Sequence, residues 1–135
     1  TALYKDAVPD SVQPNPGVVA DHLARLLDKA TSHQLAIVWA DNDNPVGLAA
    51  VATFLSVSDP RPDRWVPTEL KELFVLPEYR GSGLGQALMN WVEEDAQATG
   101  SCRIDWHVEK ENVRGIAFYE NFGAATVENR MSMRK

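Results

Sequence analysis

Residues 69–100 hold the pattern that most limits what this chain can fold into, because a strand, a glycine-rich turn and a helix follow one another directly. The segment 70–76 is mostly apolar, which predicts a strand, and Pro77 ends it because proline cannot donate a hydrogen bond to a sheet. After the turn, apolar residues recur at helical spacing, and Gly100 is a natural end for that helix. The predicted apolar stripe is Leu84, Leu88, Trp91 and Val92, opposite the solvent-facing Glu93, Glu94 and Asp95.

The turn itself predicts an anion-binding site. Gly81, Gly83 and Gly85 allow the backbone to bend sharply and to approach a ligand closely. The first N–H groups of a helix lack intrahelical acceptors, and the macrodipole adds about half a positive charge there, so a phosphate or pyrophosphate is the expected ligand. The turn does not match the dinucleotide-binding pattern G-x-G-x-x-G, because Leu88 occupies the position of the third glycine. A nucleoside triphosphate site is not expected either, because no lysine follows the turn.

The composition narrows the class of protein. A chain of 135 residues that is 44% hydrophobic is expected to form a single domain, 1–135, with a real core. No run approaches the roughly 20 apolar residues of a membrane span, and no secretory leader is seen, so a cytoplasmic protein without a membrane partner is expected. The formal charge of −6 argues against nucleic-acid binding and weakly favours a cationic substrate. Cys102 is the single cysteine, so neither a disulfide nor a cysteine metal cluster is expected.

The rest of the chain alternates between helical and extended patterns. A helix is predicted over 16–30, and the apolar runs 34–40 and 46–58 are predicted to form a hairpin across a polar turn. Asn112 is a good N-cap for a short helix that Gly123 would end. The remaining predicted elements are a proline-rich loop at 59–67, a strand at 101–108, a helix at 113–121 and a final strand at 124–133.

Two segments together resemble the signatures of the GNAT family of N-acetyltransferases. The first signature, R/Q-x-x-G-x-G/A, is matched by Arg80, Gly83 and Gly85 after a strand and a proline-containing turn. The second lies in NVRGIAFYENFG, at 112–123. Its matching residues are Asn112, the small helix residue Ala117, the aromatic pair Phe118 and Tyr119, and the ending Gly123 and Ala124.

The resemblance implies an α/β (α+β) fold with a mixed, mostly antiparallel central sheet flanked by helices. The family's opening strand is missing from the predicted elements, and the helix at 16–30 would then be the second of the usual helix pair. Three explanations stay open: a fragment, a subfamily trait, or a strand supplied by a neighbouring chain. An unpaired sheet edge is a liability that strand exchange in a homodimer would remove.

The resemblance also implies acetyl-CoA as cosubstrate. The pyrophosphate would be held by backbone N–H groups of the glycine turn and by the Arg80 side chain, and the pantetheine arm by main chain along the strand. Asn112 would bond backbone or cofactor as well as capping its helix. The residues that the resemblance assigns to the cofactor are Leu73, Val75, Arg80, Gly81, Ser82, Gly83, Leu84, Gly85, Gln86 and Asn112.

The catalytic candidates follow from the resemblance and from ordinary acid–base chemistry. Tyr119 would be the acid, because a phenol ordinarily keeps its proton up to about pH 10 and could give it to the leaving thiolate. Two residues compete for the role of base: Glu72, on the central strand, and His107, on the strand before Asn112. Each of these three assignments has an alternative interpretation. Tyr119 could be a packing residue, Glu72 could be a surface charge, and His107 could be a strand-end residue bonded to a carbonyl.

The predicted function is acetyl-CoA-dependent transfer of an acetyl group to an amine, directly within a ternary complex. Cys102 lies in neither signature and is a poor candidate for a covalent intermediate. The alternative is an acyl-CoA-binding sensor or regulatory domain without turnover. The acceptor, a small molecule or a peptide amine, is not identified by the sequence.

Overall fold

The structure, a computed structural model, describes residues 15–28 and 32–135. Three α-helices and four strands lie in this part of the chain. In chain order they are α1 (Pro16–Leu26), β1 (His33–Trp39), β2 (Pro45–Thr53), β3 (Pro67–Val75), α2 (Leu84–Ala98), β4 (Arg103–Asp105) and α3 (Val113–Asn121). Short 3₁₀ turns at Pro62–Arg64 and Pro77–Tyr79 flank β3.

The strands form one sheet in the order β1-β2-β3-β4. The first three are antiparallel neighbours, and β4 runs parallel to β3. The predicted hairpin is confirmed, and its turn is closed by a 2.8 Å hydrogen bond from the Ala40 N–H to the Asn44 carbonyl. The predicted mixed, mostly antiparallel sheet with flanking helices is therefore confirmed.

Helix α2 supplies the core by packing its apolar side onto the sheet. Met89 and Val92 are fully buried, and they meet Val51 of β2 and Leu70 of β3. Leu88 is also buried, as expected, but the buried side is wider than the predicted stripe because it includes Met89 and Ala96. The expectation that Asp95 faces solvent is wrong. Asp95 is partly buried, its Oδ2 atom has no hydrogen-bond partner, and burial raises the pKa of this carboxyl.

Several helix and strand boundaries differ from those predicted. Helix α1 ends at Leu26 and is capped at Leu27, while residues 29–31 lie outside the described part. Strand β2 ends at Thr53, earlier than predicted. Beyond it, backbone hydrogen bonds from Phe54 N–H to Pro67 O (3.4 Å) and from Ser56 N–H to Trp65 O (2.6 Å) continue toward the segment before β3. Strand β3 begins at Pro67, earlier than the apolar run suggested, because polar residues there pair with β2.

Of the two strands predicted near the C-terminal end, one is shorter than predicted and the other does not form. The strand expected at 101–108 is reduced to Arg103–Asp105, because only Pro67, Thr68 and Glu69 of β3 pair with it. The final strand expected at 124–133 does not form, and residues 125–135 are exposed and without regular structure. A segment that buries no side of its alternating pattern gains little from joining a sheet.

In the described part of the chain, β1 is an edge strand of the sheet. The family's opening strand would lie ahead of α1, where the residues before Asn15 are outside the described part. The three explanations for its apparent absence, strand exchange between two chains among them, therefore stay predictions. No helix in the described part is long and apolar enough to cross a membrane.

Candidate active site

The glycine turn connects the end of β3 to the start of α2. Gly81 and Gly83 have φ angles of 82° and 88°, a left-handed conformation that only glycine adopts readily. Gly83 is the N-cap and offers no side chain to the helix, so the first-turn N–H groups receive no capping hydrogen bond. A helix start with uncapped donors and a positive dipole end fits an anion, as the sequence predicted.

Gly85 has a different structural role from the other two glycines. Its φ is not positive, but a Cβ atom built there would lie 3.4 Å from the ring of Phe118 on α3. The missing side chain lets α2 and α3 approach each other directly beside the turn. A long side chain at Gly85 would have to displace this ring or extend into the anion site.

The side chains of Arg80 and Ser82 hold the turn against β3. The Arg80 Nε atom donates to the Val75 carbonyl at 2.9 Å, and its guanidinium carbon lies 5.9 Å from the centre of the Phe74 ring. The Ser82 hydroxyl donates to the Tyr79 carbonyl. These contacts show a bracing role for Arg80 at the strand end, which the sequence interpretation as a phosphate ligand did not include.

A cleft opens where β3 and β4 stop pairing. The parallel hydrogen bonding ends at Glu69 and Asp105, and beyond these residues the two chain segments separate. A β-bulge lies at the same place, because Leu70 pairs with Val51 and Glu72 with Ala50, which leaves Lys71 as the extra residue. The bulge therefore lets both Leu70 and Leu73 pack toward the core on the α2 side. The cleft is lined by Leu70, Lys71, Glu72, Leu73, Trp106, His107, Val108, Glu109, Asn112 and Tyr119.

Tyr119 is held by two aromatic neighbours at the cleft. Its ring centre lies 5.1 Å from that of Trp106, tilted by 51°, and 5.3 Å from that of Phe118 in an edge-to-face arrangement. Burial raises the pKa of the Tyr119 hydroxyl, and the nearby carboxylate of Glu72 raises it further. Both effects keep the phenol protonated, which suits a proton donor.

Asn112 holds the start of α3 beside the cleft. Its Oδ1 atom accepts a 2.9 Å hydrogen bond from the Gly115 N–H, which confirms the predicted cap. A Cβ atom built on Gly115 would come within 2.5–2.9 Å of the Asn112 side chain. The small residue that this cap requires is Gly115, whereas the sequence interpretation assigned that part to Ala117.

The structure brings together the predicted residues of the cleft, namely Glu72, Leu73, His107, Asn112 and Tyr119. Val75 and the glycine turn lie further along β3 and past its end. Sequence reasoning missed Lys71, Trp106 and Glu109 as lining residues. Trp106 lies in the strand predicted at 101–108 and Glu109 directly follows it, but only the early end of β4 exposes this whole segment to the cleft.

Comparison with known proteins agrees with this geometry. A mycothiol acetyltransferase of Beutenbergia cavernae is 29% identical over 84% of this chain and 37% of its own length. An uncharacterised N-acetyltransferase of Methanocaldococcus jannaschii is 35% identical over 61% of this chain and 35% of its own length. This chain thus spans well under half of these two curated relatives.

The fold has counterparts among solved structures. A putative acetyltransferase from Agrobacterium tumefaciens superposes with a TM-score of 0.82 at 18% identity, covering 98% of this chain and 89% of that one. At this identity the likeness shows the fold alone. A sequence model of the Acetyltransferase (GNAT) family matches residues 2–124. With this match over most of its length, the chain belongs to the GNAT acetyltransferase family.

Proposed function

We propose that this chain is an acetyl-CoA-dependent N-acetyltransferase that moves an acetyl group directly to an amine in a ternary complex. The proposal rests on one observation: strand β3 connects a site that fits an anion to a cleft that holds a candidate acid. The uncapped start of α2 lies past the end of β3, and the cleft with the protonated Tyr119 lies along the same strand. A cofactor with a pyrophosphate at one end and a thioester at the other fits this layout.

The residues present fit acetyl-CoA in two places. The N–H groups of Gly81 to Gln86, with Ser82 and Leu84 between them, would hold the pyrophosphate, helped by the Arg80 guanidinium. Beyond Glu69 the edge of β3 toward β4 no longer pairs, so main-chain groups near Leu73 and Val75 are placed to bond an extended arm. When bound, acetyl-CoA supplies the activated thioester.

The remaining tasks belong to side chains of the cleft. The acceptor must lose a proton, because an ammonium group has no lone pair with which to attack. Glu72 and His107 both line the cleft and are the two candidates to accept that proton. Tyr119 would then donate its hydroxyl proton to the departing sulfur, and the packing of Trp106 and Phe118 against its ring would hold it in position.

The test is release of free thiol from acetyl-CoA in the presence of a monoamine, a diamine, an amino sugar and a peptide with a free N-terminus. Acetylated product identified by mass spectrometry supports the proposal. Acetyl-CoA binding by calorimetry, with no thiol released beyond the protein-free rate for any amine, would instead favour the sensor domain.

Assembly and location extend the proposal. The edge position of β1 is consistent with a homodimer that covers the sheet edge, which sedimentation would test. We also propose a cytoplasmic protein whose partner is the amine acceptor rather than a nucleic acid or a membrane.

A further inference from the structure

The side chains that line the cleft carry more negative than positive charge. Two carboxylates line it, from Glu72 and Glu109, against one permanent cation, from Lys71. The Lys71 Nζ atom lies 3.1 Å from the Glu69 Oε1 atom in an ion pair along β3. Lys71 is thus already paired within its own strand, and the cleft presents a net negative charge to a ligand.

Glu109 is the lining carboxylate whose surroundings best suit a bound cation. Its main-chain carbonyl accepts a 2.9 Å hydrogen bond from the Asn112 N–H, which fixes the residue just ahead of α3. Among the described residues, its exposed carboxylate forms no ion pair within 4 Å. A carboxylate that is fixed at its backbone and has no cationic partner is well suited to bind a cation from solution.

The aromatic lining favours the same kind of ligand. Trp106 and Tyr119 both line the cleft, and the electron-rich faces of such rings attract ammonium groups. An acceptor with a phosphate or carboxylate group would instead need an unpaired cation, and among the described residues no arginine lines the cleft. With a volume of about 220 Å³, the cleft is smaller than pockets that enclose a whole drug-sized ligand, so it would hold the reacting end and a short stem.

We infer that the acceptor is a small amine with at least two positive charges, whose second ammonium group lies against the carboxylate of Glu109. The reacting amine lies deeper in the cleft, toward Glu72 and Tyr119. This inference rests on the proposed acetyl transfer and narrows its substrate class to oligocationic amines.

The first experiment compares three acceptors that share a five-carbon chain: pentylamine, 1,5-diaminopentane, and lysine, which is the diamine with an added carboxylate. We expect kcat/KM per amino group, which removes the statistical factor of about two for the symmetric diamine, to be higher for the diamine than for each of the others by roughly two- to fivefold, the range of an exposed ion pair. The advantage should shrink from 0.1 M to 1 M salt, because the screening length falls from about 10 Å to about 3 Å. An amino sugar with several amines is measured as a fourth acceptor. Its rate shows whether the cleft accepts cyclic amines as well as linear amines of similar charge.

The second experiment assigns the preference to one residue. Glu109→Gln keeps the shape of the side chain and removes its charge, and it should lower the ratio of diamine to monoamine kcat/KM, both counted per amino group, toward one. Glu111→Gln is the matched control, because Glu111 is an exposed glutamate on the same turn that does not line the cleft. An unchanged ratio in Glu109→Gln, or an equal fall in Glu111→Gln, would overturn the inference.

Binding measurements separate this inference from the proposed function. Calorimetry of the same three amines with CoA-loaded protein reports the charge preference even if no acetyl group moves. Diamine binding that weakens in Glu109→Gln would support the cation site although the transferase proposal had failed. Acetylation of lysine or pentylamine at a rate equal to that of the diamine would refute the cation site while leaving the transferase proposal intact.

Discussion

Substitution of Tyr119 by phenylalanine tests the proposed acid most directly. The change removes a single hydroxyl and keeps the ring that packs at 5.1 Å against Trp106 and at 5.3 Å against Phe118. No hydrogen bond of this hydroxyl is seen within the described residues. The cost in stability should therefore stay below about 1 kcal/mol.

The effect on turnover should be much larger than the effect on stability. Loss of a general acid ordinarily lowers the rate by roughly 10²–10⁴-fold, and kcat should fall by this amount while acetyl-CoA affinity is retained. In the native protein the raised pKa of Tyr119 predicts that activity does not decline through loss of its proton until the pH exceeds 10. The same shift makes the fold less stable as the pH rises above 10, because burial and the Glu72 carboxylate disfavour the phenolate that forms freely in the unfolded chain.

The assay is thiol release under saturating acetyl-CoA, with calorimetric affinity and thermal unfolding measured on the same preparations. Tyr79→Phe is the control, because it removes a phenol hydroxyl outside the cleft lining. Native kcat in a folded Tyr119→Phe protein would refute the acid role and leave Tyr119 as a packing residue. An equal loss in both variants would show that hydroxyl removal acts through general damage.

Three further predictions concern the turn and the base. Gly85→Glu should abolish acetyl-CoA binding, because it puts a carboxylate at the helix start and its side chain must either displace the Phe118 ring or extend into the anion site. Calorimetry on folded protein showing native affinity would contradict this. Gly83→Ala should destabilise the protein by about 1–2 kcal/mol, because φ is 88° there, whereas Gly85→Ala in helical geometry should be neutral or stabilising in thermal unfolding. Whichever of Glu72→Gln and His107→Ala removes the rise of rate with pH identifies the base, provided that two amines of different pKa give the same answer; persistence of the rise in both would exclude both residues.

Much of the candidate site could be predicted from local sequence because local physics fixes it. A positive φ at Gly81 and Gly83 and an uncapped helix start follow from glycine beside a helical pattern, and the Asn112 cap depends on atoms only three residues apart. These features need no distant partner. The glycine turn and the start of α3 were accordingly placed correctly from the sequence.

The cleft depended on contacts between segments that are far apart in the chain. Strand β4 ends after Asp105 because only the first three residues of β3 pair with it, and this early end exposes Trp106 and Glu109 beside Glu72. The bulge at Lys71 is likewise set by the register between β2 and β3. A sequence pattern records which side chains are apolar but not where two strands stop pairing. The sequence alone therefore determined the glycine turn and the helix cap and, through the family resemblance, named the candidate acid and bases. The tertiary structure decided which side chains share a cleft and what net charge they present.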